Sequence, residues 1–296
     1  MASEHALQDA LRSAVAEGVA PAIALGVAAG GQTWRWFAGR EGPRPAAPAC
    51  GPATRFDLAS LTKPLTTVTW ALQLASAGRL ALEAPVAEAV PELCDPRWAA
   101  CPVWRLLSHS SGLPAWRPYH EGLRGAVRAG PAGDAARAAV RRMLARTPLE
   151  ADPGARERYS DLGFLLLEWV CERADRPLSR VWPDLPGHGA DRLHFRPLPT
   201  EGPAVGYAPT EACPWRGRLL TGEVHDDNTW VLGGVAGHAG LFGTLPTTLA
   251  ASTAWLSAVR GDAALPGVDL ALSQAVLNAR WGHPRGSFAL GWDTPT

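Results

Sequence analysis

Ser60-Leu61-Thr62-Lys63 sets a hydroxyl and an amine three residues apart, where the sequence predicts the start of a helix. Residues i and i+3 of a helix share a face, so the amine can reach the hydroxyl. A lysine that has lost its proton can take the serine's, and the positive end of the helix favours negative charge on the serine oxygen. Rarity adds weight: of 28 basic residues Lys63 is the only lysine, and all the others are arginine. Of the two, lysine alone can be deprotonated near neutral pH. The blander origins are a serine cap beside a surface lysine, and chance under strong codon bias. Tyr159-Ser160-Asp161 forms a second set, after Asp152-Pro153-Gly154 and just before an apolar helical stretch. A tyrosine held near a lysine can share its proton and act as general acid or base. The plainer reading makes Tyr159 a helix-start aromatic and Asp161 an N-cap. Beside Ser60 and Lys63, the functional reading carries more weight.

Composition narrows the remaining classes. A chain of 296 residues, 47% hydrophobic and 19% charged, has the balance of an ordinary globular protein with room for about two average domains, or one large α/β domain with an insertion. Lys+Arg and Asp+Glu are 28 each, so no basic field exists to hold a nucleic acid. The apolar stretch Val19–Gly31 is too short to span a bilayer, and Thr229–Val259 is broken by glycines and Pro246. The first residues, Met1–Asp9, lack a basic region of the secretory kind, which predicts a cytoplasmic protein. Cys50, Cys94, Cys101, Cys171 and Cys213 show no C-x-x-C spacing and read as reduced thiols rather than a disulfide frame or zinc site. No phosphate loop of the GxxxxGK kind is present, because Thr62 precedes the only lysine.

The elements that must position these residues follow from periodicity and breakers. Leu7–Glu17 reads as a helix, and Ala22–Ala29, Gly30–Gly31 and Trp34–Phe37 read as a β-hairpin. Glu41–Pro52 is a loop and Phe56–Ala59 is strand-like. Ser60 then opens a helix to about Ala77, with Leu61, Leu65, Val68 and Leu72 on one face, Pro64 in the first turn and Gly78 as the stop. The stretch from Pro85 to about Ala212 is proline-rich and mostly helical, with Gly133–Arg146 and Leu162–Ala174 its clearest helices. Thr247–Arg260 predicts another helix and Ser287–Trp292 a strand. The expected domains are a discontinuous body of residues 1–84 and 213–296 with a helical insertion at 85–212.

Phe56-Asp57-Leu58-Ala59-Ser60-Leu61-Thr62-Lys63 resembles the nucleophile motif of the serine β-lactamase and penicillin-binding-protein superfamily. The branch it is most similar to holds class C β-lactamases, D-alanyl-D-alanine carboxypeptidases and related esterases. Leu107-Ser108-His109-Ser110-Ser111-Gly112-Leu113-Pro114, Tyr159-Ser160-Asp161, Val224–Asn228 and Gly233–Phe242 also resemble segments of that branch. The resemblance covers roughly residues 20–296. It implies an α+β (α/β-type) fold, an antiparallel sheet flanked by helices with a mostly helical inserted subdomain. It also implies an acyl-serine mechanism without a cofactor: Ser60 attacks a carbonyl, Lys63 and Tyr159 move protons, and water releases the acyl group. Ester, D-alanyl peptide amide and β-lactam substrates are all within its reach.

Two departures from the family pattern stand out. Asp161 occupies the place of the usual Asn, exchanging an amide that can donate for an acceptor, which leans toward esters or other small acyl groups. The third motif, Lys/His-x-Gly on the strand beside the nucleophile, orients substrate in the family. His238-Ala239-Gly240 fits its letters and makes His238 and Gly240 candidate substrate-binding residues beside Asp161. In the family, however, that strand follows a Gly-Leu-Gly-Trp marker. Leu290-Gly291-Trp292 matches the marker, and the chain stops four residues later. The expectation is therefore a truncated chain whose third motif, last strands and final helix are missing.

Other readings remain. The chain could be an inactive family member that binds a peptide or small acyl ligand. His225, Asp226, Asp227 and His238 could hold a metal in a hydrolase of another kind, although no HExxH-like spacing supports it, and His225 and Asp226 read better as buttresses of a loop near the site. His109 reads as a hydrogen-bonded loop residue. Trp116 and Trp215, in Pro-rich loops, are candidates to line an acyl pocket. The partner expected is a small-molecule acyl substrate, with oligomeric state left open.

Overall fold

Alternation and paired glycines place the first strands. In the computed structural model, which describes residues 2–42, 46–123, 133–189, 192–196, 204–277, 281–283 and 286–293, helix α1 (Ala2–Ala16) leads into β1 (Ala22–Ala29) and β2 (Gln32–Gly39). Ala29 lies opposite Gln32, so Gly30 and Gly31 alone make the loop, with φ of 56° and 75°. Positive φ at both central residues is what a two-residue hairpin turn demands. Gln8 ties α1 to the hairpin by donating from Nε2 to the Phe37 carbonyl at 3.0 Å.

Strand β3 (Arg55–Asp57) carries the chain to the Ser-x-x-Lys segment. That segment is not one regular α-helix from Ser60. A 3₁₀ turn over Ala59–Leu61 is followed by a wide π-type stretch, Lys63–Val68, and only then by helix α2 (Thr69–Ser76). Because these turns have three and more than four residues rather than 3.6, the phase of the apolar stripe slips. Leu65, Val68 and Leu72 are buried as expected, whereas Leu61 is 45% exposed. Pro64 lies at the start of the π stretch, where its missing N–H costs little.

Helices α3 (Gly133–Ala145) and α4 (Asp161–Ala174) follow. Every residue of α4 from Leu162 to Cys171 is buried, as befits a helix apolar nearly all round. Strand β4 (His194–Phe195), the small hairpin of β5 (Pro209–Cys213) and β6 (Arg218–Thr221), the short helix α5 (Asp227–Val231) and β7 (Leu241–Thr244) come next. Helix α6 (Leu245–Arg260) opens with a capping box, in which Thr244 and Thr247 hydrogen-bond each other's backbone, and closes on left-handed Gly261. Helix α7 (Leu270–Ala275) is capped by Asp269.

The central strand of the sheet behind the nucleophile is β7, antiparallel to both β3 and β4, with Asp57 and His194 each opposite Phe242. The fold is thus α+β with antiparallel sheets. β4 comes from within the stretch read as a helical insertion, so that stretch contributes an edge strand to this sheet. Ser287–Trp292 is not a strand. Left-handed Gly291 turns the chain, leaving a single bridge between Phe288 and Asp293 and an Ala289–Trp292 hydrogen bond of 3.1 Å. Among the described residues no helix is long and apolar enough to cross a membrane.

A buried ion pair fixes the glycine-rich run before β7. Glu168, on α4, is paired with Arg137 of α3 and accepts from the Gly237 N–H at 2.8 Å. Arg137 also donates to the Val235 carbonyl at 2.8 Å. Burial pushes the Glu168 carboxyl up, and the Arg137 charge opposes that shift. A methyl group on Gly237 would sit 2.9 Å from the Glu168 Cβ and from the Phe164 carbonyl. Gly237→Ala should therefore cost about 1–3 kcal/mol through overpacking, read by thermal unfolding. Gly51→Ala, with nothing within 4 Å of its Cβ, should change stability by less than about 0.5 kcal/mol.

Two imidazoles are locked in the neutral form. His109 Nδ1 accepts the Ser160 N–H at 3.1 Å. Burial, aided by the Lys63 charge, takes its pKa from 6.5 down to about 3. His188 lies between the Pro186 carbonyl at 3.1 Å and the Thr66 hydroxyl at 3.0 Å, and burial lowers its pKa to about 4. Below pH 6.5 the unfolded chain binds protons that these folded sites refuse, so stability falls as pH is lowered toward 4. The slope is up to about 1.4 kcal/mol per pH unit for each histidine. Denaturant unfolding between pH 7 and pH 4.5 should show a shallower slope in His109→Gln and His188→Gln than in the parent.

Candidate active site

The nucleophile segment begins with a strained residue. Ala59 has φ of +46°, a left-handed conformation that costs a residue with a Cβ on the order of 1–3 kcal/mol unless its surroundings hold it. What holds it is Asp57, whose Oδ1 accepts the Ala59 N–H at 2.8 Å while Oδ2 accepts the His225 N–H at 2.7 Å. β7 stitches the turn from the other side. Leu58 donates to the Leu241 carbonyl at 2.8 Å, and the Thr62 hydroxyl donates to the Ala59 carbonyl at 2.6 Å while accepting the Leu241 N–H at 3.1 Å. Ser60 stands exposed at the tip.

Lys63 lies just beneath it, only 2% exposed. Its Nζ is 3.0 Å from Ser60 Oγ, 3.1 Å from the His238 carbonyl and 2.6 Å from Asp161 Oδ1. An ammonium has three protons, and here each has an acceptor. The same nitrogen faces the rings of Tyr159, 4.9 Å to the centroid, and Phe164, 5.8 Å. The structure therefore brings Ser60, Lys63, Tyr159 and Asp161 together around one amine.

Tyr159 and Asp161 are delivered by the cap of α4. The capping residue is Ser160, not Asp161: its Oγ accepts the Gly163 N–H at 3.0 Å and donates to the Pro114 carbonyl at 2.6 Å. That frees the Asp161 side chain, in the first helical turn, to face Lys63. The Tyr159 ring is packed between His109, 4.5 Å between centroids, and Phe288, 5.7 Å. Phe288 is held by Glu157, whose carboxylate accepts the Phe288 N–H at 2.8 Å and the Ser287 N–H at 3.1 Å.

His238 and Gly240 do not face the opening as substrate-binding groups would. The His238 imidazole is 1% exposed and turned to Asp226 Oδ1 at 2.9 Å and the Thr229 hydroxyl at 3.2 Å, with Nδ1 unpartnered. Its contribution to the site is its backbone carbonyl on Lys63. Gly240 is buried with φ of +108°, its Cα facing the Gly234 carbonyl. Asp226, held well below the usual carboxylate range by His238 and the Thr229 N–H despite its burial, also caps α5. His225 and Asp226 thus buttress the site. Among the described residues no three His, Cys, Asp or Glu side chains are grouped to hold a metal ion.

Trp116 is half exposed on the loop whose Ala115 carbonyl accepts the Asp161 N–H at 2.9 Å. Trp215 instead meets His120 and Trp230 edge to face, with ring centroids 4.9 and 5.4 Å apart. A cavity of about 420 Å³, lined by Leu65, Pro186, Pro246 and Trp255 among others, does not include Ser60. Sequence reasoning missed Asp57, Glu157, Glu168 and Phe288. Asp57 lies inside the motif read for Ser60, three residues upstream, and its carboxylate beside a strand end was the available signal. Nothing local marks Glu157 or Phe288, which meet only in the folded chain.

Comparison with known proteins gives the family. A family model described as β-lactamase matches residues 7–295. An Escherichia coli K12 protein named "Putative D-alanyl-D-alanine carboxypeptidase" is 31% identical over 217 residues, covering 64% of this chain and 48% of that protein. The chain spans about half the length of the curated relatives it matches. Among solved structures, SurE superposes with a TM-score of 0.69 at 24% identity, covering 98% of this chain and 64% of that one. A penicillin-binding protein from Bacillus halodurans gives 0.65 at 18%, covering 95% and 82%. The serine–lysine pair, the tyrosine over the amine and the family match over nearly the whole sequence lead to one conclusion: the chain belongs to the β-lactamase family.

Proposed function

We propose that this chain is a serine hydrolase working through an acyl-enzyme, with Ser60 as nucleophile. The observation that carries the reading is the 3.0 Å approach of Lys63 Nζ to Ser60 Oγ beneath the Tyr159 ring. Once Lys63 has released one proton to solvent, its lone pair takes the Ser60 proton as Oγ bonds to the substrate carbonyl carbon. The tetrahedral intermediate then expels its leaving group, which takes up a proton by way of Lys63 and Tyr159. Water, deprotonated along the same route, attacks the acyl carbon, and the proton it gave up passes to Ser60 Oγ as the acyl–oxygen bond breaks.

The substrates this site fits best are esters and other small acyl compounds. Asp161 offers only acceptors, and one of its oxygens is engaged by Lys63, so it is poorly suited to donate to a peptide carbonyl as an asparagine would. D-alanyl peptides and β-lactams remain the other substrates of the same mechanism. One observation favours a second reading, ligand binding without turnover. His238, the residue that fits the letters of a third motif, has its imidazole buried rather than offered to substrate.

A fluorophosphonate probe followed by intact-mass measurement tests both readings. The parent protein should gain one adduct, mapped to Ser60, and Ser60→Ala none. Lys63→Arg keeps the charge but supplies no base, and should slow labelling by about 10²–10⁴-fold, the usual reach of general-base catalysis. A parent protein that stays unlabelled, yet binds acyl ligands equally well with Lys63→Arg, would establish the binding reading instead.

A further inference from the structure

We propose that Asp57 is a positioning residue, and that the Ser60–Lys63 separation is set by one bracket, the His225–Asp226 dipeptide, which Asp57 joins to the nucleophile turn. The inference rests on the reading of Ser60 as nucleophile. Two arms leave the bracket. In the first, the His225 backbone N–H is accepted by Asp57 Oδ2 at 2.7 Å, and Oδ1 of the same carboxylate accepts the Ala59 N–H at 2.8 Å, next to Ser60. In the second, the Asp226 carboxylate holds His238 Nε2 at 2.9 Å, and the His238 carbonyl accepts from Lys63 Nζ at 3.1 Å. Adjacent residues therefore govern the position of the hydroxyl through one arm and of the amine through the other.

Only a carboxylate of this length serves the first arm. Two backbone N–H groups from segments far apart in sequence converge on it, so both of its oxygens must accept. Asparagine has one acceptor and would turn its NH₂ toward the second N–H. The Asp57 backbone is fixed by pairing with Phe242 in β7, so the side chain is aimed rather than free. The left-handed φ of Ala59 is the conformation this arm must hold, because a residue with a Cβ relaxes out of it when released. Release would let Ser60 move relative to Lys63, and a misplacement of about 1 Å at reacting groups can cost on the order of 10²-fold in rate.

The test measures fluorophosphonate inactivation of the parent, Asp57→Ala and Asp57→Asn, separating the saturation constant of the probe from the maximal labelling rate at Ser60. Thermal midpoints are taken in parallel. Val90→Ala, which hollows the core at a fully buried position outside the site, serves as a control for plain destabilisation. Asp57→Ala is expected to lower the maximal rate about 100-fold and Asp57→Asn about 10-fold. The saturation constant should stay within about threefold, and Val90→Ala should keep the parent rate. Labelling of Asp57→Ala at the parent rate, or slowed no more than Val90→Ala, overturns the inference and leaves the proposed function standing. If Asp57→Ala does not fold, Asp57→Asn decides by the same criterion. A parent protein that is never labelled overturns the proposed function, and this inference with it.

Discussion

The structure depends on one buried ammonium. Lys63 is almost fully removed from water, and a charge in that position is tolerated only when its protons are matched. The acceptors come from three separate parts of the chain: the Ser60 hydroxyl one turn away, the Asp161 carboxylate at the start of α4, and the His238 carbonyl just before β7. Each acceptor needs its own support. Ser160 caps α4 so that Asp161 points inward, Asp226 holds His238, and the Glu168–Arg137 pair fixes Gly237 beside it. Removing one partner of such a buried pair commonly costs about 3–5 kcal/mol, so the group best placed for chemistry is also one the fold cannot leave unpaired.

That dependence explains why some of the site was legible in the sequence and some was not. Ser60 and Lys63 are near neighbours in the chain, and the rarity of lysine singled one of them out. Tyr159 and Asp161 could be read because a turn and an apolar helix frame them. The hairpin followed from Gly30–Gly31, and α4 from its apolar run, although its cap is Ser160 rather than Asp161. Local periodicity failed where the backbone itself departs from a regular helix. The 3₁₀ and π turns around Ser60 move Leu61 out of the stripe that a 3.6-residue period predicts. The supposed strand at 287–292 has alternating character, yet left-handed Gly291 folds it back before it can pair.

His238 shows a different limit. Its letters fit a motif whose side chain meets substrate, but the same residue can serve by its backbone. A carbonyl on Lys63 leaves no trace in residue type, since every residue has one. Asp57 was hidden for the opposite reason. Its role depends on an N–H group 168 positions away, a distance that no local pattern spans. In both cases the missing information is tertiary: which atom of a residue faces the site, and which segment closes over it.

The packing of Phe288 on Tyr159 bears on how the protein is made. Synthesis from the N-terminus delivers Ser60 and Lys63 early, whereas Asp161 follows a hundred residues later, His238 later still, and Phe288 last. The lysine therefore lacks its carboxylate until residue 161 is made and its carbonyl until residue 238, and the tyrosine lacks the Phe288 ring until residue 288. A nascent chain therefore carries the serine–lysine pair well before the groups that match the ammonium. The order of the segments leaves the centre incomplete until residue 288 has been made, so its assembly comes late in the making of the chain.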